Sequence, residues 1–147
     1  MSLVFFDLET TDLPRPNRPH RVTELSLCAV ERSHFINAKN NEMPRVTNRL
    51  NLCLNPTTPI NPMAARISQL DNVALQEQSP FDNHAFNIVH SFLCRLKPPV
   101  CLIAHNGFIF DFPLLKAEIE RIGMVRLFNY SIFKQFIFNF FIEYYRY

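Results

Sequence analysis

Residues 3–8, Leu3-Val4-Phe5-Phe6-Asp7-Leu8, form an apolar run bounded by turn chemistry. A run this short suits a central strand buried on both faces, and excludes a long helix as its natural state. Pro14, Pro16 and Pro19, interleaved with Arg15 and Arg18, follow it. Each proline lacks an N–H and fixes φ, so residues 13–19 must leave the ladder as a loop. A second apolar run, residues 100–104, predicts another buried strand. With 147 residues, 48% of them hydrophobic, the chain can enclose one core around such a sheet but not two.

The remaining elements follow from periodicity and punctuation. Residues 22–30 are a strand candidate, and so is Val46 to Leu54, where Leu50, Leu52 and Leu54 alternate with Arg49, Asn51 and Cys53. That alternation predicts one covered and one wetter face, as on an antiparallel or edge strand. The polar stretch 32–45 between them reads as a connection or hairpin loop, making a meander. Asn61 before Pro62 is an N-cap acceptor followed by proline at the first helical position, which predicts a helix over 63–70. A longer helix is expected over 82–96, with Ala85, Ile88, Val89, Phe92, Leu93 and Leu96 on one face and Pro98 and Pro99 ending it. His105-Asn106-Gly107 then turns the chain into a helix over 111–122, stopped by Gly123. The order β-β-β-α-α-β-α predicts an α/β architecture, a mixed sheet flanked by helices.

Composition restricts the partner and compartment less than the fold. A formal net charge of +2 does not announce a polyanion by itself. Cys28, Cys53, Cys94 and Cys101 stand singly in apolar runs, without C-x-x-C spacing, and read as free, buried thiols of a reducing compartment. The first residues carry no basic region and reach Asp7 quickly, so no secretory signal is expected. These points predict an intracellular protein of the cytoplasm or nucleus. Residues 129–147 differ in design, rich in Phe, Ile, Tyr and Asn without a clean period. Lys134, Gln135, Asn139 and Glu143 interrupt them, against the uncharged span of about 20 residues that a membrane helix needs.

Three acids at strand ends carry the chemistry. Asp7 and Glu9 lie two apart, so strand geometry points both to one face. Like charges on one edge repel and are best tolerated with a cation between them, and hard oxygen donors of this kind suit Mg²⁺ or Mn²⁺. Two solvated loop acids are the more common meaning of an isolated D-x-E. Asp111 follows the other apolar run at the start of a helix, where open α/β sheets bind ligands. A helix-start acid stabilised by the macrodipole would look the same.

The surrounding segments add more than the acids do singly. Phe5-Phe6-Asp7-Leu8-Glu9-Thr10-Thr11-Asp12-Leu13-Pro14 resembles the first exonuclease motif of the DEDD superfamily. Ala104-His105-Asn106-Gly107-Phe108-Ile109-Phe110-Asp111-Phe112-Pro113-Leu114-Leu115 resembles the second. With Val22-Thr23-Glu24-Leu25 and Ile67-Ser68-Gln69-Leu70 between them, the chain resembles the three-prime repair exonuclease family over about residues 2–128. The resemblance implies a ribonuclease-H-like fold and release of nucleotides from DNA 3′ ends, single-stranded or frayed. It implies two Mg²⁺ or Mn²⁺ ions held by Asp7, Glu9 and Asp111, with the ions about 3.5–4 Å apart. It further implies substrate contacts from Glu9, Thr10, Thr11, Leu13, Ile67, His105 and Asn106, Leu13 and Ile67 packing against terminal bases. For His105 a purely structural role in its turn is an equal reading. A homodimer through the Val46 to Leu54 edge strand is also implied.

The family pattern continues with H-x-x-x-x-D, whose histidine is the general base and whose aspartate completes the metal site. No histidine or aspartate follows Asp111 in this sequence; the remaining acids are Glu118 and Glu120, expected on a helix surface, and Glu143 in the tail. Residues 1–128 are therefore expected to be a partial, C-terminally incomplete exonuclease domain, with 129–147 an atypical apolar tail. Either the family activity is impaired in this chain, or the chain is a catalytically dead nucleic-acid-binding or dimerisation module.

Overall fold

A computed structural model describes residues 1–13 and 20–125 of the chain. Most of the proline-rich loop and the whole of the 129–147 tail lie outside the described residues.

Strand β1 (Ser2–Thr10) sits inside a four-stranded sheet of order β3-β2-β1-β4, with β2 spanning Val22–Glu31, β3 Val46–Cys53 and β4 Val100–Ile103. β1, β2 and β3 form the expected antiparallel meander, whereas β4 runs parallel to β1, so the sheet is mixed. The β3 burial alternates as its sequence predicts, Leu50 and Leu52 being partly covered and Arg49 and Asn51 exposed on the outermost strand. β4 has all four residues buried.

Helix α1 (Arg32–Asn37) opens the segment anticipated as a polar connection between β2 and β3. It has no buried residue and no side-chain cap, so no apolar stripe marked it; Phe35 nevertheless meets the Phe5 ring at 5.8 Å. Helix α2 (Pro62–Ser68) starts as predicted, the Met63 amide donating to Asn61 Oδ1 at 2.9 Å. A one-turn helix α3 (Asn72–Leu75), not anticipated, follows with Asp71 as its cap. Helices α4 (Asn83–Cys94) and α5 (Asp111–Arg121) supply the main cover of the sheet.

These two helices and the sheet enclose one core. Ala85, Phe86, Val89 and Leu93 of α4 and Leu114, Leu115 and Ile119 of α5 pack with Val4, Phe6 and Leu8 of β1 and Leu25 and Leu27 of β2. The predicted apolar face of α4 is rotated slightly: Phe86 is buried, and Ile88 is 46% exposed. The larger Phe86 ring occupies the space over the sheet, leaving Ile88 at the flank.

The opposite face of the sheet is less covered, and here β1 departs from the strand buried on both faces. Leu3, Cys101 and Ile103 form a small cluster with Met1 and Phe5. Beyond it β1 alternates: Phe6, Leu8 and Thr10 are buried, Asp7 is exposed and Glu9 half-buried. The cysteines are free, as expected, but only Cys101 is buried; Cys28 and Cys53 are intermediate because they lie on partly covered strand positions, and Cys94 is exposed on α4. Among the described residues no helix is long and apolar enough to cross a membrane.

Asp82 caps α4, its Oδ1 accepting from the His84 and Ala85 amides at 2.9 Å each. The Ala85 amide is the main cause that holds this carboxyl below its usual range. Asp82→Ala is expected to cost about 1 kcal/mol near neutral pH. Because the folded carboxyl is the stronger acid, that contribution is present above the unfolded value and fades as pH falls through the folded one. Urea denaturation at pH 7 and pH 3 checks this; equal losses at both pH values would refute it.

Candidate functional site

The site is built where two strands of unequal length part. β4 pairs with β1 only as far as Phe5 opposite Ile103, while β1 continues to Thr10. Past that point the Leu8 amide donates to Asp111 Oδ1, at 3.1 Å, in place of a strand carbonyl. Asp111 is 3% exposed and stands in the first turn of α5, whose N-cap residue Phe110 makes no side-chain capping bond. A carboxylate here also complements the helix dipole.

The turn that delivers Asp111 is sterically exacting. Asn106 adopts φ 52°, and the Phe112 amide bonds the Gly107 carbonyl at 2.8 Å. A Cβ on Gly107 would lie 2.6 Å from Ala104 Cβ and 2.8 Å from the Phe112 ring. Phe112 in turn packs on Phe6 of β1, ring centroids 6.0 Å apart.

Asp7 and Glu9 project from the less covered face, as their spacing predicts. Asp7 shares a shallow groove with Phe5, Ser26, Cys28, Ile103 and His105. Glu9 lies directly opposite Glu24 of β2 in the antiparallel register, a pairing that brings Cβ atoms to about 5 Å. Glu24 was not singled out from sequence; its alternation with buried Thr23 and Leu25 was the available signal, but only the register sets it beside Glu9. Asn51 donates to Glu24 at 2.7 Å.

The acids load one another with negative charge. Desolvation first, then Asp7, pushes the Asp111 carboxyl up to about 6, against the opposing pull of the Leu8 amide. Glu9 is also raised, by desolvation and then by Asp7 and Glu24. Asp7 is thus the common neighbour of both. Among the described residues, however, no three histidine, cysteine, aspartate or glutamate side chains converge closely enough to hold a metal ion.

Of the other sequence candidates, Thr10 and Thr11 are buried and internally bonded. Thr10 Oγ1 donates to the Asp12 carbonyl at 2.9 Å; the Thr11 amide donates to the Arg21 carbonyl, and the Thr11 carbonyl accepts from Asn61. Leu13 and Ile67 are 70% and 72% exposed. The Asn61 bond ties the start of α2, which carries Ile67, to the turn before Leu13. His105 and Asn106 are exposed, their side chains 3.3 Å apart. Glu118 is not on the helix surface: it is 2% exposed, since it falls three and four residues after Leu115 and Leu114 on the covered side of α5.

No protein-family model matches the chain. It is 40% identical to human three prime repair exonuclease 2 over 129 residues, covering 83% of this chain and 54% of that protein. It is 38% identical to human three-prime repair exonuclease 1 over 133 residues, 84% of this chain and 42% of that one. The chain is homologous to the three-prime repair exonucleases. It spans about half the length of these relatives. Among solved structures, exonuclease X in complex with 5′ overhanging duplex DNA superposes with a TM-score of 0.52 at 19% identity, over 76% of this chain and 52% of that one. Exonuclease I from Methylocaldum szegediense gives a TM-score of 0.62 at 17% identity, over 82% and 23%. The mixed sheet with its helices therefore has the fold of the DnaQ-like exonucleases.

Against the two motifs that resemble the three-prime repair exonucleases, the structure brings Asp7, Glu9 and Asp111 to the same end of the sheet by two different devices. The first pair comes from strand parity and the third from the turn after β4. Two outcomes follow. Gly107→Ala is expected to destabilise the chain by about 1–3 kcal/mol, because Ala104 or Phe112 must move; an unchanged denaturation midpoint would contradict it. In chelator, Asp111→Asn, which keeps an acceptor for Leu8, is expected to stabilise by about 1–2 kcal/mol at pH 8. The folded carboxyl holds its proton more tightly than the unfolded one, so ionised Asp111 costs stability. That cost is absent below the unfolded value, grows up to about 6 and then levels off. Denaturation at pH 4 and pH 8 measures the difference, and a less stable variant at pH 8 would contradict it.

Proposed function

We propose that residues 1–128 carry the DNA-end-binding part of a metal-dependent 3′→5′ exonuclease site, with 129–147 a separate tail. The observation that carries this reading is the buried Asp111 carboxylate, fastened to the Leu8 amide of β1 and repelled by Asp7 on that same strand. Unrelieved negative charge at the end of a sheet is the environment a hard divalent cation neutralises. Homology to the three-prime repair exonucleases gives the reaction class.

Asp7, Glu9 and Asp111 would hold Mg²⁺ or Mn²⁺. Their donor chemistry fits, Asp111 being fixed by the Leu8 amide and Asp7 and Glu9 being the more open members. Held there, such ions would supply activation of a water and neutralisation of the leaving 3′ oxygen. Leu13 and Ile67 would pack against the terminal bases of a single-stranded or frayed end, an interaction indifferent to base identity. Glu9, Thr10, Thr11, His105 and Asn106 would line the remainder, Thr10 and Thr11 mainly by holding the turn. Structures of exonuclease X with duplex DNA and of exonuclease I with a dT13 oligonucleotide support a nucleic-acid partner for this fold. The exposed edge of β3 would pair with a second copy, and the compartment would be intracellular.

A second reading is a DNA-binding or dimerisation module without turnover; the 36 residues after Asp111 hold no histidine or aspartate to serve as general base or further ligand. Loss of a positioned general base typically removes about 10²–10⁴ in rate. The purified chain is therefore expected to bind a labelled single strand in Mg²⁺ while trimming it at least about 100-fold more slowly than a complete relative. Trimming at a relative's rate would overturn the impairment. No Mg²⁺-dependent binding, or binding unchanged by Leu13→Ala with Ile67→Ala, would overturn the site itself. Sedimentation as a monomer at all concentrations would overturn the β3 pairing.

A further inference from the structure

Glu118 is a buried acid with no part in the proposed chemistry. Its Oε1 accepts from Arg21 Nε at 2.6 Å and from the Val22 amide at 3.2 Å, and its Oε2 accepts from Arg121 Nε at 2.9 Å. Arg121 also donates to the Phe81 carbonyl just before α4, and Arg21 Nη1 reaches Thr57 Oγ1 at 3.4 Å. A buried charge tolerates the loss of a partner poorly, and apolar residues of similar volume often serve stability as well. What the charged group adds is direction.

The placement shows what that direction fixes. Glu118 lies seven residues after Asp111, two turns along the same side of α5. Asp111 is bonded to Leu8 of β1; Glu118 is bonded to Arg21 and to Val22, the register partner of Thr10. Arg21 is joined to the end of β1 twice more, through Thr11 N to its carbonyl at 2.9 Å and through its own amide to Thr11 Oγ1 at 3.0 Å. Helix α5 is thus pinned at two points two turns apart to adjacent strands. Its apolar contacts, Phe112, Leu114, Leu115 and Ile119, are non-directional and permit sliding, and the bond from Arg121 to the Phe81 carbonyl ties the far end of the helix to the segment before α4, not to β1.

We infer that Glu118 and Arg21 are positioning residues for the candidate metal site, their ion pair setting the axial position of α5 and so the place of Asp111 against β1. The inference rests on the metal-binding reading of Asp7, Glu9 and Asp111.

The test is Mn²⁺ affinity of the purified chain, read from the electron paramagnetic resonance of free Mn²⁺, for wild type, Glu118→Ala, Glu118→Gln, Arg21→Met and Ile119→Val. Ile119→Val loosens the same helix without touching the ion pair. Glu118→Ala and Arg21→Met are expected to weaken Mn²⁺ binding about tenfold, the range of supporting partners around metal ligands. Glu118→Gln, which keeps an acceptor for the Val22 amide, should recover part of that loss, and Ile119→Val should bind as wild type despite a lower melting temperature. If Glu118→Ala does not fold, Arg21→Met decides, because it leaves Glu118 paired with Arg121. Arg21→Met binding Mn²⁺ as tightly as Ile119→Val overturns the positioning role alone. A wild-type chain that binds no Mn²⁺ overturns the metal-site reading and this inference with it.

Discussion

Everything at the candidate site depends on the mismatch in length between β1 and β4. A buried strand cannot leave its amides unpaired without a penalty comparable to a lost hydrogen bond. Where β4 turns away after Ile103, the Leu8 amide is served by a side chain, and Asp111 is that side chain. The turn geometry, the glycine at its tightest point and the ring of Phe112 against Phe6 all serve to bring one carboxylate to one amide. The same overhang leaves Asp7 and Glu9 paired with β2 but without a strand on their β4 side, so the acids gather at the place where the sheet is least complete.

That gathering is electrostatically uneven. Asp111 is the most enclosed of the three and has the compensating amide; Asp7 is open to solvent; Glu9 lies between, facing Glu24 across the register. Burial leads the causes that disfavour the ionised form of both Asp111 and Glu9, whereas Asp7 stands open to solvent. A fold that tolerates this arrangement gives up some stability at the site and recovers it in the core beneath, where Phe6, Leu8, Phe86 and Leu115 are packed together.

Local chemistry was legible in the sequence, and long-range pairing was not. Asn61 before Pro62 and Gly123 after α5 announced helix limits because a cap or a left-handed residue acts within a few positions. The parity of Asp7 and Glu9 was legible for the same reason. Ile88 and Phe86 exchanged places because periodicity locates a helical face only to within one residue, and size decides which side chain takes the interior. Glu118 looked like a surface acid because its partner Arg21 is 97 positions away, and nothing near either residue reveals the other. Glu24 gained its meaning only from strand register.

The parity of β1 has one more consequence. Even-numbered residues from Val4 to Thr10 are buried and the odd-numbered Asp7 and Glu9 lie on the less covered face, so interior and site are interleaved along a single stretch of chain. Point substitutions at the odd positions can change chemistry while leaving the interior untouched. A one-residue insertion or deletion ahead of Phe6 would exchange the two sets at a stroke, burying acids and exposing Phe6 and Leu8. In this segment evolution can alter letters far more readily than length.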